Sequence, residues 1–169
     1  MRRARQLLDG AEYHVTARVN RSEMLLMPEE TKMLMLEVIQ RAKKRYRFQI
    51  KNFCIMNNHI HLLIKPGENE SLSRIMQWIL SVFAMIWNRR HKLWGHVWGE
   101  RFYSRIILGI VDFLRVFIYI DDNPINAQLV KCAQEWQFGG LWHHHHGINT
   151  VTDPPDDLIL HYCPEHAAK

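Results

Sequence analysis

The chain has 169 residues, enough for one domain with a buried core, and at 47% hydrophobic and 23% charged it is not a disordered polymer. Its 22 basic and 17 acidic side chains give a net charge of +5, which suits a polyanionic partner without proving one. Three dispersed thiols, Cys54, Cys132 and Cys163, form neither a disulfide framework nor a CxxC metal knuckle, and no run approaches the ~18 apolar residues that span a bilayer.

In chain order, "EYHVTARV" (Glu12 to Val19) partly alternates and is rich in strand formers, predicting a first strand. Pro28 to Tyr46 opens with proline and acids and closes with bases, as a helix dipole favours. Met33, Leu34, Leu36, Val38 and Ile39 are its expected buried side. Phe48 to Met56 and His59 to Lys65 read as two strands joined by a tight turn at Asn57-Asn58. Ser71 or Ser73 caps a helix from Leu72 to His91 that ends in the basic "NRRHK". The aromatic, glycine-punctuated Gly95 to Ile107 is a loop entering a fourth strand, and Val111 to Pro124 is a short helix stopped by its proline. From Trp136 the chain reads as a tail with "HHHH" (His143 to His146), expected as a flexible loop. The expected division is one domain over 1–146 and a tail over 147–169.

Strand, helix, strand, strand, helix, strand, helix is a split β-α-β-β-α-β order. It predicts an α+β, ferredoxin-like sandwich: an antiparallel sheet with helices on one face, plus an additional C-terminal helix.

Two constellations carry chemistry. Residues two apart on a strand share a face about 7 Å apart, so His59 and His61 are placed to hold one metal ion, or else are ordinary solvent-facing strand histidines. On the helix from Val111, the 3.6-residue period gathers Asp112, Arg115, Tyr119, Asp122 and Asn123 on one side, and Phe113, Leu114, Phe117 and Ile118 on the other. Tyr119 is then on the polar side with Asn123 one turn on, or simply a surface tyrosine before a helix-ending Asn-Pro.

"MNNHIHLLI", "GHVWGERFYSRII" and "YIDDNPINAQLV", in this order, together with "YHVTARVNRSEML" and the long helix, resemble the insertion-sequence-200-like single-tyrosine HUH transposases, nearest to the REP-associated tyrosine transposases of bacteria. The resemblance spans about residues 12 to 131. It implies a ferredoxin-like domain, a divalent metal (Mg or Mn), and a tyrosine that attacks single-stranded DNA. Carried over, His59 and His61 are metal ligands and Tyr119 the nucleophile. Asn123 stands where the family has a glutamine ligand, and "MNNH" where it usually shows Met-Pro-Asn-His. Asp121-Asp122 puts two acids beside an expected phosphate.

The implied reaction makes a 5′-phosphotyrosine and a free 3′ hydroxyl, on a strand bearing a hairpin: transposon ends or REP palindromes. Arg89, Arg90, Lys92, Arg101 and Arg105 are candidate DNA contacts. His14, on the first strand, is a candidate support for the site. Relatives include monomers and obligate dimers, so a homodimer exchanging the Tyr119 helix stands beside a monomer. The basic "MRRARQLLDG" lacks a signal-peptide core, so a cytoplasmic, nucleoid-associated protein with no membrane partner is expected. The rivals are a non-catalytic hairpin-binding module and a metallophosphoesterase in which metal-bound water attacks.

Overall fold

The computed structural model describes Leu8 and residues 10–168; the basic opening, residues 1–7, lies outside the described residues. The elements run β1 (Tyr13–Arg18), α1 (Glu29–Arg45), β2 (Phe48–Ile55), β3 (His59–Pro66), α2 (Leu72–His91), β4 (Tyr103–Ile106) and α3 (Gly109–Asn126), followed by the short α4 (Gly140–His145) and α5 (Asp157–Tyr162). The four strands form one antiparallel sheet in the order β2-β3-β1-β4, the ferredoxin-like arrangement.

Strand alternation divides the molecule into two cores. Val15, Ala17, Ile60, Leu62 and Ile64 pack against Leu34, Val38 and Ile39 of α1 and Ile75, Ile79 and Phe83 of α2. On the other face Cys54 and Leu63 meet Phe113, Val116, Phe117 and Ile120 of α3. Local chemistry agrees with this packing. Acids open α1 at Glu29 and Glu30 and bases close it at Lys43 to Arg45, while the Ser71 hydroxyl accepts the Arg74 N–H at the start of α2.

Several expectations need correction. Met33 is 52% exposed, because Leu34, Met35, Val38 and Ile39 already fill the buried stripe of α1. Pro124 does not stop α3, which runs to Asn126. The proline forfeits only the bond to the Ile120 carbonyl, and it continues the buried stripe of Phe113, Val116, Phe117 and Ile120. That stripe leaves Ile118 exposed and Leu114 half-buried, so Val116 and Ile120 take the core places expected of them.

The histidine run is not a flexible loop. His143 to His145 lie in α4, and His143 and His144 are buried. The chain beyond residue 147 packs back on both layers: Val151 joins the α1/α2 core, Ile159 and Cys163 the α3 core. Asp153 accepts the Ile50 N–H at 2.8 Å and pairs with Lys43 at 2.8 Å. These contacts are between residues over a hundred positions apart, which no local pattern announces.

Candidate active site

Because Ile60, Leu62 and Ile64 turn into the α1/α2 core, β3 presents His59, His61 and Leu63 to the opposite face. Strand pairing then supplies neighbours: Arg18 lies opposite His59, Thr16 opposite His61 and His14 opposite Leu63. His14 Nε2 comes within 3.0 Å of His61 Nδ1, and Thr16 Oγ1 within 3.1 Å of the same nitrogen. From above, α3 brings Tyr119 edge-on to His61, with ring centroids 5.5 Å apart, and to His14 at 5.9 Å. The His59 and His61 rings are 4.8 Å apart. Tyr119 is 46% exposed, so its phenol is open to a large substrate. Asn123, one turn on, donates its amide N–H to the Tyr119 carbonyl at 2.7 Å.

The three imidazoles are held neutral. Burial, followed by repulsion from any charge on the adjacent His59 and His14 rings and from Arg18, pushes His61 down to about 3, with the nearby Asn123 side chain working the other way. His59 falls to about 4 through burial and Arg18, and His14 to about 4 through burial and Arg105. Neutral rings keep a lone pair each, the form in which histidine binds metal.

Their hydrogen bonds say which nitrogen is free. Asn58 Oδ1 lies 2.6 Å from His59 Nδ1, so Nδ1 carries the proton and Nε2 the lone pair. His61 Nδ1 is engaged by His14 and Thr16, and its Nε2 is buried with no hydrogen-bond partner among the described residues. A buried ring nitrogen without a partner is costly, and a metal ion satisfies it. The residues therefore fit a divalent ion held by two imidazole nitrogens. Among the described residues no group of three His, Cys, Asp or Glu side chains is arranged for a metal, and the polar side chain of α3 beside His61 is the Asn123 amide.

The other expected residues divide. The structure brings His14 to the site. It does not bring Arg89, Arg90 and Lys92 to the histidine face; they are exposed at the end of α2, in the opposite layer. Arg101 is exposed in the loop before β4. Arg105 sits opposite His14, but two of its nitrogens grip the Asp112 carboxylate at 2.8 Å each. That contact holds Asp112 down at about 2. Of the two adjacent acids, Asp121 turns inward, accepting from Asn52 at 3.0 Å and meeting His166 at 2.8 Å, so it does not confront the site. Sequence reasoning missed Thr16, Asn58 and this inward use of Asp121. Thr16 shares His14's side of β1 at i+2, but only the β1–β3 register shows what faces it.

With the geometry in place, the family model described as "Transposase IS200 like" matches residues 8–123. The chain belongs to the IS200-like transposase family. The matched span of this transposase takes in every residue of the site just described, from His14 to Asn123. A Haemophilus influenzae protein described as a REP-associated tyrosine transposase is 22% identical over 149 residues, covering 78% of this chain and 83% of that one. A solved structure of a REP-associated tyrosine transposase bound to a REP hairpin superposes with a TM-score of 0.73 at 22% identity, over 92% of this chain and 93% of that one. A transposase structure from Deinococcus radiodurans R1 gives 0.50 at 13% identity, over 72% of this chain and 97% of its own. Tyrosine transposases are DNA endonucleases and strand transferases, and by family this chain is such an enzyme. Among its described residues, no helix is long and apolar enough to cross a membrane.

Proposed function

We propose that this transposase nicks and rejoins single-stranded DNA through Tyr119, on strands that carry a hairpin such as transposon ends or REP-type palindromes. The observation that carries this reading is the approach of the exposed Tyr119 ring to the neutral His59/His61 pair, 5.5 Å from His61. The REP hairpin in the solved relative supports the choice of substrate.

Each group has a part. The Tyr119 oxygen attacks the phosphorus in line with the 3′ oxygen; the phosphorus–O3′ bond breaks and the 5′ phosphate remains on the tyrosine. The phenol's proton leaves to solvent, and the departing 3′ oxygen takes one up. Attack by a second 3′ hydroxyl reverses these events, rejoining the strand and freeing Tyr119 without ATP. His59, His61 and the Asn123 amide would hold Mg²⁺ or Mn²⁺, whose charge, when bound, stabilises the phosphoryl oxygens. His14 and Thr16 fix the orientation of His61.

The test is a labelled hairpin oligonucleotide incubated with protein and Mn²⁺, resolved on a denaturing gel. A protein–DNA adduct that disappears in Tyr119→Phe and in His59→Ala is the expected result. Cleavage that survives Tyr119→Phe would overturn the nucleophile, pointing to attack by water. Hairpin binding with no adduct would point to a binding module.

A further inference from the structure

Behind the tyrosine helix runs a chain of buried polar groups that the chemistry above does not use. Asp121 is two residues from Tyr119, about 200° round the helix, and so points to the opposite side. Its carboxylate meets Asn52 Nδ2 at 3.0 Å and His166 Nε2 at 2.8 Å. His166 Nδ1 lies 2.7 Å from His144 Nδ1, and His144 Nε2 lies 3.1 Å from the Asp153 carbonyl. Asn52, His144 and His166 are all buried. Asn52 also donates to the Phe117 carbonyl of α3 at 3.0 Å, and the His166 ring stacks edge-on to Phe117 at 4.6 Å.

The proton count of this chain closes. There are three gaps: Asp153 carbonyl to His144, His144 to His166, and His166 to Asp121. Each needs one proton. Two neutral imidazoles and one carboxylic acid supply three, as do one imidazolium, one imidazole and one carboxylate. Every arrangement is neutral overall and leaves no polar atom of the chain unpaired, the condition under which a buried network fixes one geometry. The far end is anchored too, since Asp153 is tied to β2 through the Ile50 N–H. The chain thus links α3 to the sheet by way of the C-terminal segment, which lies beyond the span matched by the family model.

We infer that Asp121, His166 and His144 are positioning residues: through them the C-terminal segment braces α3 from behind and sets the angle at which Tyr119 meets the histidine pair. This role rests on Tyr119 being the nucleophile, as proposed above. Asp121→Asn provides a conservative control. Its amide N–H donates to His166 Nε2 and its oxygen accepts from Asn52, so all three gaps stay filled. The double variant Asp121→Leu/His166→Phe does the reverse, keeping volume and an apolar interior while removing the bonds that join Asn52, Asp121, His166 and His144. Such replacements of buried polar pairs are often neutral in stability.

The experiment measures, for wild type and both variants, single-turnover adduct formation with the labelled hairpin and Mn²⁺, hairpin affinity, melting temperature, and hydrogen exchange of the α3 amides. In the double variant the adduct rate is expected to fall at least about tenfold, with hairpin affinity kept within about twofold. Exchange should quicken in α3 and not in β3 or α1, and Asp121→Asn should behave as wild type. A folded double variant with wild-type adduct rate and wild-type α3 exchange overturns the brace. So does a loss of rate matched by an equal loss of hairpin affinity. If the double variant fails to fold, His144→Gln, which disturbs the links to His166 and to the Asp153 carbonyl and leaves the His166–Asp121 pair in place, must show the selective α3 exchange or the inference is withdrawn. If wild type itself forms no adduct, the nucleophile assignment fails. The exchange arm then still decides whether the segment braces α3.

Discussion

His14 Nε2 sits 3.0 Å from His61 Nδ1, two strands' side chains meeting nitrogen to nitrogen beneath the tyrosine ring. For His61 to offer Nε2 outward, its Nδ1 has to carry the proton and donate it, and His14 and Thr16 are the acceptors in reach. In the proposed site His14 is therefore an outer partner to the ligand His61, not itself a ligand.

Replacing His14 with Phe keeps the ring against Tyr119 but removes that acceptor. Affinity for Mn²⁺ should fall roughly tenfold, the usual cost of losing an outer-shell partner. Titrating Mn²⁺ into wild type and His14→Phe, with Thr16 intact, measures it. Equal affinities would show that Thr16 alone orients the ring.

Variants at Asn123, the proposed third donor, test which atom type that position needs. Asn123→Ala removes the amide oxygen, and both Mn²⁺ affinity and adduct rate should drop about 10–100-fold. Asn123→Gln keeps an amide with one more methylene and should retain most of both. A glutamine variant as poor as alanine would mean that reach, more than chemistry, is what the position demands.

Gly140 is sterically obligatory. A Cβ there would meet Asn52 Oδ1 at 2.0 Å, and Asn52 is fully buried and tied to Phe53, Phe117 and Asp121. Gly140→Ala should destabilise the fold by about 2–4 kcal/mol through overpacking and a disturbed buried polar network. Urea unfolding gives the value; a loss below ~0.5 kcal/mol would show that α4 shifts freely.

Arg105 and Arg101 should separate in their response to salt. Arg105 is already committed to Asp112 in a two-toothed contact, and Arg101 is exposed. Arg105→Ala should cost roughly 0.5–1 kcal/mol of stability after solvent screening and leave the salt dependence of DNA binding unchanged. If Arg101 meets a phosphate, Arg101→Ala should flatten that dependence by about one counterion. A flattened slope in Arg105→Ala would instead place its guanidinium on the DNA.

The metal-free protein should lose stability in mild acid. Burial pushes His143 and His144 from the ordinary 6.5 down to about 4, and His14, His59 and His61 are lowered in the same sense. The unfolded chain therefore takes up protons as pH falls through 6.5 while the folded chain does not until about 4. The stabilisation is complete above 6.5 and drains away toward 4. Urea midpoints taken across that range should decline steadily; a flat profile would mean these rings protonate without unfolding anything.

What could be read from the amino acids alone was whatever repeats over a few residues. A period of two put His59 and His61 on one side of a strand, and a period near 3.6 put Tyr119 and Asn123 on one side of a helix. Paired with turn and capping residues, those periods yielded the strand and helix order and hence the fold. The three ordered motifs pointed to the family as well. Local signals also misled: periodicity offered Ile118 and Met33 as core, and proline's missing N–H offered Pro124 as a stop.

Pairing register and packing decided the rest, because they join residues far apart in the chain. Thr16 faces His61 across 45 positions, Asn52 reaches Asp121 across 69, and Lys43 meets Asp153 across 110. No short pattern encodes such distances. So the face of the sheet on which the histidines look out, the ring that steadies them, the inward turn of Asp121 and the folding back of the C-terminal segment were fixed by the tertiary structure. The physical reason is that burial rewards the assembled surface, and each strand or helix by itself carries only one edge of it.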